Sequence, residues 1–214
     1  MAFSSHQVRA GLKHLRSADP VLREVIERVG PFRMNVDRDR FRALVRSIIS
    51  QQISGSAARS IRTRLEALTA PGKITPEKLA RLTPEQLRSV GLSSQKSRYL
   101  HDLAAKVQAN QVRLKSVAKM SDEAVVDELT QVMGIGVWTA QMFLMFSLCR
   151  LDVFPHDDLG IRSALRNLYG LDELPDKVTG QRISEPWRPY ATIASWYCWR
   201  SLDLPKVAPD SKKL

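Results

Sequence analysis

Apolar residues recur along this chain at intervals of three and four positions, which is the period of an amphipathic α-helix. Three segments show the pattern most clearly: Phe41, Leu44, Val45, Ile48 and Ile49; Ile161, Ala164, Leu165, Leu168 and Tyr169; and Tyr190, Ile193, Ala194, Tyr197 and Cys198. No segment sustains the alternation with period two that marks a half-buried strand. The pattern therefore predicts an all-α fold with little or no sheet.

Turn and cap residues predict short helices in the middle of the chain. Residues 75–77 and 83–85 both read TPE, which combines a capping hydroxyl, a proline at the first helical position and an early acid. Gly91 is expected to end one helix, and Ser93 or Ser94 to begin the next. Short helices joined by tight turns should follow one another here.

The chain shows no low-complexity linker that would separate independent domains. We therefore expect one bilobal helical domain over residues 1–204. Residues from about 50 to about 150 would form one lobe, and the N- and C-terminal helices would form the other. Residues 205–214, PKVAPDSKKL, have the composition of a tail.

Charge points to a polyanionic partner. The 214 residues include 33 Lys and Arg against 22 Asp and Glu, which gives a net charge of +11. A basic but merely solvated surface is the alternative. No run approaches the roughly 18 apolar residues of a membrane span, and the first ten residues lack the apolar core of a secretory signal. We expect an intracellular protein without a membrane partner.

The cysteines exclude one class of cofactor. Cys149 and Cys198 are too few for a site of four thiolates, so neither an iron–sulfur cluster nor such a zinc site is expected. Both lie in apolar surroundings, which favours core positions over a disulfide.

Two glycines one residue apart, in LTQVMGIGVWTAQ, mark the most informative turn. A dinucleotide site would need a strand before them and a third glycine where Thr139 stands. Apolar residues at helical spacing precede them instead, which predicts a helix-hairpin-helix over about residues 122–148. Gly134 and Gly136 would then expose helix N–H groups that bind a phosphate without reading sequence. The alternative is a tight turn that binds nothing.

An acidic pair follows the hairpin. Asp157 and Asp158 follow Pro155, which interrupts the helical pattern, and they stand at the start of the next amphipathic helix. An N-cap is the simplest role for one of them, and a second carboxylate needs another explanation because one suffices for capping.

Taken together, the glycine pair, Trp138 and an aspartate twenty residues later, Asp158, resemble the helix-hairpin-helix DNA glycosylases. Within that superfamily the chain is similar to the 3-methyladenine DNA glycosylase II family, in a short form without the N-terminal sheet domain. The resemblance runs from about Phe41 to Trp199 and rests on four blocks: IISQQISGSAARSI, VGLSSQKSRYL, LTQVMGIGVWTAQ through VFPHDDLGIR, and PWRPYATIASWYCW. It implies a bilobal helical glycosylase fold, a monomer, and double-stranded DNA with alkylated bases as the partner, bound in the nucleoid of a bacterium or the nucleus of a eukaryote.

The resemblance places the catalytic carboxylate at Asp158 and leaves Asp157 as the structural partner or cap. Cleavage of an N-glycosidic bond makes the sugar electron-poor, so a nearby carboxylate stabilises it and can orient or deprotonate the attacking water. Bifunctional relatives carry a lysine amine at the place of Trp138. We therefore expect water as the nucleophile, an abasic site as the product and no strand cleavage.

Aromatic residues are implied around the flipped base. Trp138 and Trp196 line this pocket in the resemblance, with Tyr190 beside them, and a cationic alkylated purine gains about 0.5 to 2 kcal/mol by lying on an indole. Met142 belongs to the same pocket, where the best-known bacterial member has a tyrosine. The other two tryptophans are expected to be core residues: Trp187 and Trp199.

The resemblance also implies DNA and cation contacts. Residues 134–136 and Thr139 would contact the DNA backbone, and the backbone carbonyls of Thr130, Val132 and Ile135 would hold Na⁺ or K⁺. No other cofactor is expected.

The minor-groove wedge aligns with Gln52, with Gln51 and Ser54 nearby. A plain helix boundary remains the alternative for each of these three, and the arginines between residues 59 and 64 contact phosphate or form a solvated face. Two other functions stay open: a helix-hairpin-helix protein that binds DNA without catalysis, and a glycosylase for a deaminated or oxidised base.

Overall fold

A computed structural model describes residues 3–205 of the chain, and in this range it contains twelve α-helices and no strand. The helices are α1 (Ser5–Ala18), α2 (Pro20–Val29), α3 (Arg40–Ser50), α4 (Gly55–Leu68), α5 (Pro76–Arg81), α6 (Pro84–Ser89), α7 (Ser94–Gln108), α8 (Asp122–Thr130), α9 (Val137–Phe146), α10 (Leu159–Tyr169), α11 (Lys177–Ser184) and α12 (Ala191–Ser201). Single 3-10 turns lie at Val117–Lys119 and Glu185–Trp187. The predicted all-α fold is confirmed. The predicted tail lies outside the described residues except for its first position.

The predicted helix starts in the middle of the chain are confirmed. Thr75 and Thr83 accept hydrogen bonds from the backbone N–H groups three residues later, and α6 adds the reciprocal bond of a capping box. Ser93 caps α7 in the same way. Gly91 follows the end of α6 with φ +99°, a left-handed conformation that suits glycine.

The described residues form two compact units. The first unit is Asn35–Cys149, and the second combines residues 3–34 with residues 150–205. In the first, α5 packs on α7, α8 on α9, and α3 on α4, α7 and α9. The unit begins well before residue 50 because the apolar face of α3 packs inside it, and because the N–H of Asp37 bonds to the carbonyl of Phe146 at 2.9 Å.

The second unit has its own core, in which α12 packs against α2 and α10. At its centre Asp19, 6% exposed, caps α2 and accepts hydrogen bonds from the Tyr169 hydroxyl at 2.5 Å and the Trp187 indole N–H at 2.8 Å. Cys198 is fully buried, and burial raises the pKa of its thiol. Cys149 of the first unit is half-buried, and neither cysteine forms a disulfide.

Candidate active site

The glycine turn between α8 and α9 uses its two glycines differently. Gly134 has φ +79°, and a Cβ added to it would overlap the ring of Tyr99, so only glycine fits. Gly136 has φ −96° and is the N-cap of α9, where no side chain makes a capping hydrogen bond. A Cβ at Gly136 would meet no atom within 4 Å. The first glycine is therefore needed by the fold, while the second faces open space.

Two residues of helix α7 contact this turn. Tyr99 lies against Gly134, and Asp102 accepts a hydrogen bond from the N–H of Met133 at 2.8 Å. Lys106 pairs with the same carboxylate at 2.6 Å. The block VGLSSQKSRYL pointed to this helix, but sequence reasoning assigned no role to Tyr99 or Asp102.

The predicted wedge segment lies next to the hairpin. Gln52 is exposed and has φ +56°, which is uncommon for a residue with a Cβ. Gln51 turns its amide toward the hairpin and donates to the carbonyl of Gly134 at 2.7 Å. Ser54 caps α4 by accepting from the N–H of Ala57, so the helix-boundary alternative is confirmed for Ser54.

Lys96 holds the same segment in place. Its ammonium group donates to the carbonyls of Ile49 at 2.7 Å and Gln51 at 2.6 Å, at the end of α3. Burial lowers the pKa of Lys96. No role was predicted for Lys96 from the sequence, although its place in the block VGLSSQKSRYL, which resembles the family, could have indicated one.

Asp158 stands at the N-terminus of α10. Its Oδ1 accepts the N–H of Ile161 at 2.9 Å and the indole N–H of Trp199 at 2.8 Å. Asp157 has an exposed side chain and lies 3.1 Å from the Nε2 of His156. Of the two roles expected for Asp157, structural partner or cap, the capping role is wrong, because Asp158 itself caps α10. The extended backbone of Asp158, with φ −70° and ψ 122°, lets its own side chain reach the first turn.

The aromatic residues of the predicted base pocket are distributed over both units. Trp138 is 41% exposed on α9 of the first unit, and Met142 follows it by one turn. In the second unit Trp196 packs edge-to-face on Phe32, with ring centroids 5.0 Å apart. Tyr190 is half-buried at the start of α12.

The other two tryptophans differ from each other. The core position predicted for Trp187 is confirmed, because its side chain is fully buried. Trp199 is half-buried beside the second core, but its indole N–H reaches Asp158. The expectation of core packing alone is therefore incomplete for Trp199.

A cavity of about 760 Å³ lies within the first unit, between α3, α9 and the segment before α3. Met142 and Thr139 line it. Thr139 was predicted to contact the DNA backbone, but it is only 4% exposed, so its side chain points into the unit. Burial raises the pKa of Asp37 at the cavity wall, and hydrogen bonds from Arg42 and Arg46 outweigh that effect and hold the pKa below its usual value.

The carbonyls predicted to hold a monovalent cation belong to the last residue of α8 and to the turn that follows it. The last carbonyls of a helix lack intrahelical donors and form the negative end of its dipole, so Thr130 supplies a suitable ligand type. The carbonyl of Val132 accepts the N–H of Ile135 at 3.1 Å and keeps a second lone pair. Within residues 3–205 no cluster of three or more His, Cys, Asp or Glu side chains could hold a metal ion, and no helix is long and apolar enough to cross a membrane.

Residues 45–189, which include the hairpin, the predicted wedge segment and Asp158, match the family described as HhH-GPD superfamily base excision DNA repair protein. The chain belongs to this superfamily.

Relatives in the superfamily refine its placement. The chain is 34% identical over 196 residues to DNA-3-methyladenine glycosylase 1 of Schizosaccharomyces pombe, covering 89% of this chain and 86% of the relative. A solved structure of a 3-methyladenine DNA glycosylase from the same yeast, in complex with abasic DNA, has a TM-score of 0.85 and 32% identity, and the match covers 93% of this chain and 99% of the other. A DNA-3-methyladenine glycosidase from Bacillus halodurans has a TM-score of 0.81 and 34% identity, covering 89% and 88%. The predicted family and fold are confirmed.

Proposed function

We propose that this chain is a monofunctional DNA glycosylase that hydrolyses the N-glycosidic bond of alkylated purines in duplex DNA, of the 3-methyladenine and 7-methylguanine type. The observation that carries the proposal is Asp158, a carboxylate held by two N–H donors at the start of α10. The relatives named DNA-3-methyladenine glycosylases support the choice of substrate.

The hairpin supplies the grip on DNA. Gly136 leaves the N-terminus of α9 without a capping side chain, and such a terminus attracts a phosphate through its N–H groups and its dipole. The net charge of +11 adds affinity that does not depend on sequence. Gln52, exposed in a left-handed conformation beside the hairpin, fills the space that the flipped nucleotide leaves.

Recognition of the base rests on aromatic surfaces and on the lesion itself. N3- or N7-alkylation makes a purine cationic and weakens its glycosidic bond. Trp138, 41% exposed, offers an indole face to such a cation, and Trp196 with Tyr190 supply further aromatic surface in the second unit. A modest catalyst is then selective, because an undamaged purine is a much poorer leaving group.

The chemistry requires one carboxylate and one water. As the bond between C1′ and the base nitrogen breaks, its electron pair leaves with the base, and the sugar gains oxocarbenium character. The negative charge of Asp158 stabilises that sugar. Asp158 also orients the attacking water. The water oxygen bonds to C1′, and the Asp158 carboxylate receives the proton that the water loses, so the products are a free base and an abasic site.

The absence of an amine at position 138 argues against a lyase step. Strand cleavage by this superfamily's bifunctional members begins with attack of a lysine amine on the sugar, and Trp138 cannot make that attack. The strand should therefore remain intact until alkali is added.

Two further properties belong to the proposal. A Na⁺ or K⁺ ion held by the carbonyls of Thr130, Val132 and Ile135 would supply positive charge between the hairpin and a DNA phosphate, and no other cofactor is required. The protein acts as a monomer inside the cell, on DNA.

The test is excision from methylated duplex DNA, with released bases identified by chromatography and strand breaks followed before and after alkali. Wild-type protein should release 3-methyladenine without nicking. Asp158→Asn keeps an oxygen that can cap α10 but removes the charge, so excision should fall by roughly 10² to 10⁴-fold with normal folding.

Other outcomes point elsewhere. Full activity of Asp158→Asn would remove Asp158 from the catalytic role. Binding of the DNA without release of any base would indicate a non-catalytic DNA-binding protein. Release only from duplexes with a deaminated or oxidised base would keep the glycosylase and change its lesion.

A further inference from the structure

Two helix N-caps in the second unit share an unusual feature, a hydrogen bond from an indole. Asp19 caps α2 and accepts from Trp187 at 2.8 Å, and Asp158 caps α10 and accepts from Trp199 at 2.8 Å. The first pair is buried, with Asp19 6% exposed and Trp187 fully covered. The second pair is half-buried and includes the proposed catalytic carboxylate.

The two carboxylates are held differently. At Asp19 the capping N–H groups bond to Oδ1, whereas the indole bonds to Oδ2. At Asp158 both the N–H of Ile161 and the indole N–H of Trp199 bond to Oδ1. The terminal torsion of an aspartate has a broad minimum, so a single capping bond leaves the carboxylate free to rotate. A second donor from α12 fixes both that oxygen and the plane of the group.

Gly160 leaves room for this contact. A Cβ added at Gly160 would lie 3.0 Å from Cδ1 of Trp199 and 3.0 Å from Oδ1 of Asp158. A larger residue would press on both partners of the hydrogen bond at once. The glycine in the motif HDDLGIR therefore serves the same contact as the tryptophan.

We propose that Trp199 is a positioning residue of this enzyme, whose indole N–H orients the Asp158 carboxylate for cleavage of the glycosidic bond. The inference rests on the proposed function, in which Asp158 stabilises the sugar. A hydrogen bond to a charged acceptor is strong enough to fix its geometry. Because Trp199 acts through Asp158, its loss should slow the chemical step and leave DNA binding unchanged.

The experiment replaces Trp199 by Phe, which keeps an aromatic ring and removes the N–H. Single-turnover excision on methylated duplex DNA should slow by about 10- to 100-fold at saturating enzyme, the scale expected for a misplaced catalytic group. The protein concentration for half-maximal rate should stay within about twofold of wild type. Trp199→His, which restores an N–H donor, should recover part of the rate.

Trp187→Phe is the matched control, because it removes the same kind of bond from the buried pair. It should lower the melting temperature and leave the rate constant of the folded enzyme unchanged, which is the opposite pattern. Gly160→Ala retains the indole N–H but displaces it, and it should slow excision without loss of DNA binding.

Two results would overturn the proposal: a wild-type rate for Trp199→Phe and Gly160→Ala, or a Trp199→Phe defect confined to the half-saturating concentration, which would place Trp199 against the base instead. Asp158→Asn distinguishes failure of the catalytic role of Asp158 from failure of the positioning role of Trp199. If Asp158→Asn is inactive and Trp199→Phe is fully active, only the positioning role fails. If Asp158→Asn is fully active, the catalytic assignment fails and the positioning role fails with it.

Discussion

The N-termini of α9 and α10 are alike in backbone structure and opposite in chemistry. Helix α9 begins after Gly136, and no side chain caps it. Helix α10 begins after Asp158, whose carboxylate accepts the N–H of Ile161 at 2.9 Å. Each terminus carries the partial positive charge of its helix dipole. In α10 the protein's own anion occupies that position, whereas no capping side chain occupies it in α9.

This difference separates two tasks of the proposed enzyme. The open terminus of α9 suits a DNA phosphate, for which the protein needs only backbone N–H groups and a residue without a side chain. The closed terminus of α10 holds a reactive group in a defined orientation. Substitutions at Gly134, Asp158 and Gly136 test the comparison, in order of decreasing effect on folding stability.

Gly134→Ala should have the largest effect. The left-handed backbone at φ +79° costs a residue with a Cβ about 1 to 2 kcal/mol, and overlap with the Tyr99 ring should add about 1 to 3 kcal/mol. The free energy of unfolding, measured in urea, should fall by roughly 2 to 5 kcal/mol. DNA affinity of the folded fraction should fall as well, because the turn can no longer present α9.

Gly170→Ala is the matched control for that substitution. Gly170 also has a left-handed backbone, with φ +64°, but an added Cβ meets nothing within 4 Å. The free energy of unfolding of Gly170→Ala should fall only by the cost of the left-handed backbone, about 1 to 2 kcal/mol. Equal losses at Gly134 and Gly170 would show that contact with Tyr99 contributes nothing to the hairpin.

Asp158→Ala should have an intermediate effect on stability. It removes the cap of α10, which costs about 0.5 to 2 kcal/mol, whereas Asp158→Asn keeps a capping oxygen and should cost much less. Both variants should lose excision to the same degree, since both lose the charge. Urea unfolding measures the capping role of Asp158, and excision assays on the same variants measure its catalytic role. Equal stability of wild type and Asp158→Ala would contradict the capping role.

Much of this comparison could be predicted from sequence. The helical period, the TPE starts and the spacing of the glycines, Trp138 and Asp158 depend on local rules that a sequence displays directly. The helical period and the TPE starts correctly predicted the all-α fold and the caps of α5 and α6, and the resemblance carried by the four sequence blocks correctly predicted the superfamily. The predicted core position of Trp187 was also correct, since tryptophan is highly buried on average.

The rest depends on contacts between residues far apart in the chain. Trp199 bonds to a residue 41 positions away, and Gln51 to one 83 positions away, so no local pattern indicates either contact. The choice between Asp157 and Asp158 as cap turns on one pair of backbone angles, which two adjacent aspartates do not reveal. Residues 51–54, the predicted wedge segment, lie next to the start of α4, but which of their side chains faces the hairpin follows only from the three-dimensional path.

Gly136→Ala should have the smallest effect on stability and is the most direct test of the open terminus. Its φ of −96° suits any residue and an added Cβ meets no neighbour, so only the poorer N-cap preference of alanine counts, and the free energy of unfolding should fall by no more than about 1 kcal/mol. A methyl group there would stand between the α9 N–H groups and a phosphate, so the dissociation constant for duplex DNA should rise about tenfold, or about 1.4 kcal/mol. The rate of excision at saturating enzyme should be unchanged, because Asp158 is untouched. Unchanged affinity in a binding titration at fixed salt would mean that the N-terminus of α9 does not bind DNA. The assignment of binding to α9 and of catalysis to α10 would then be wrong.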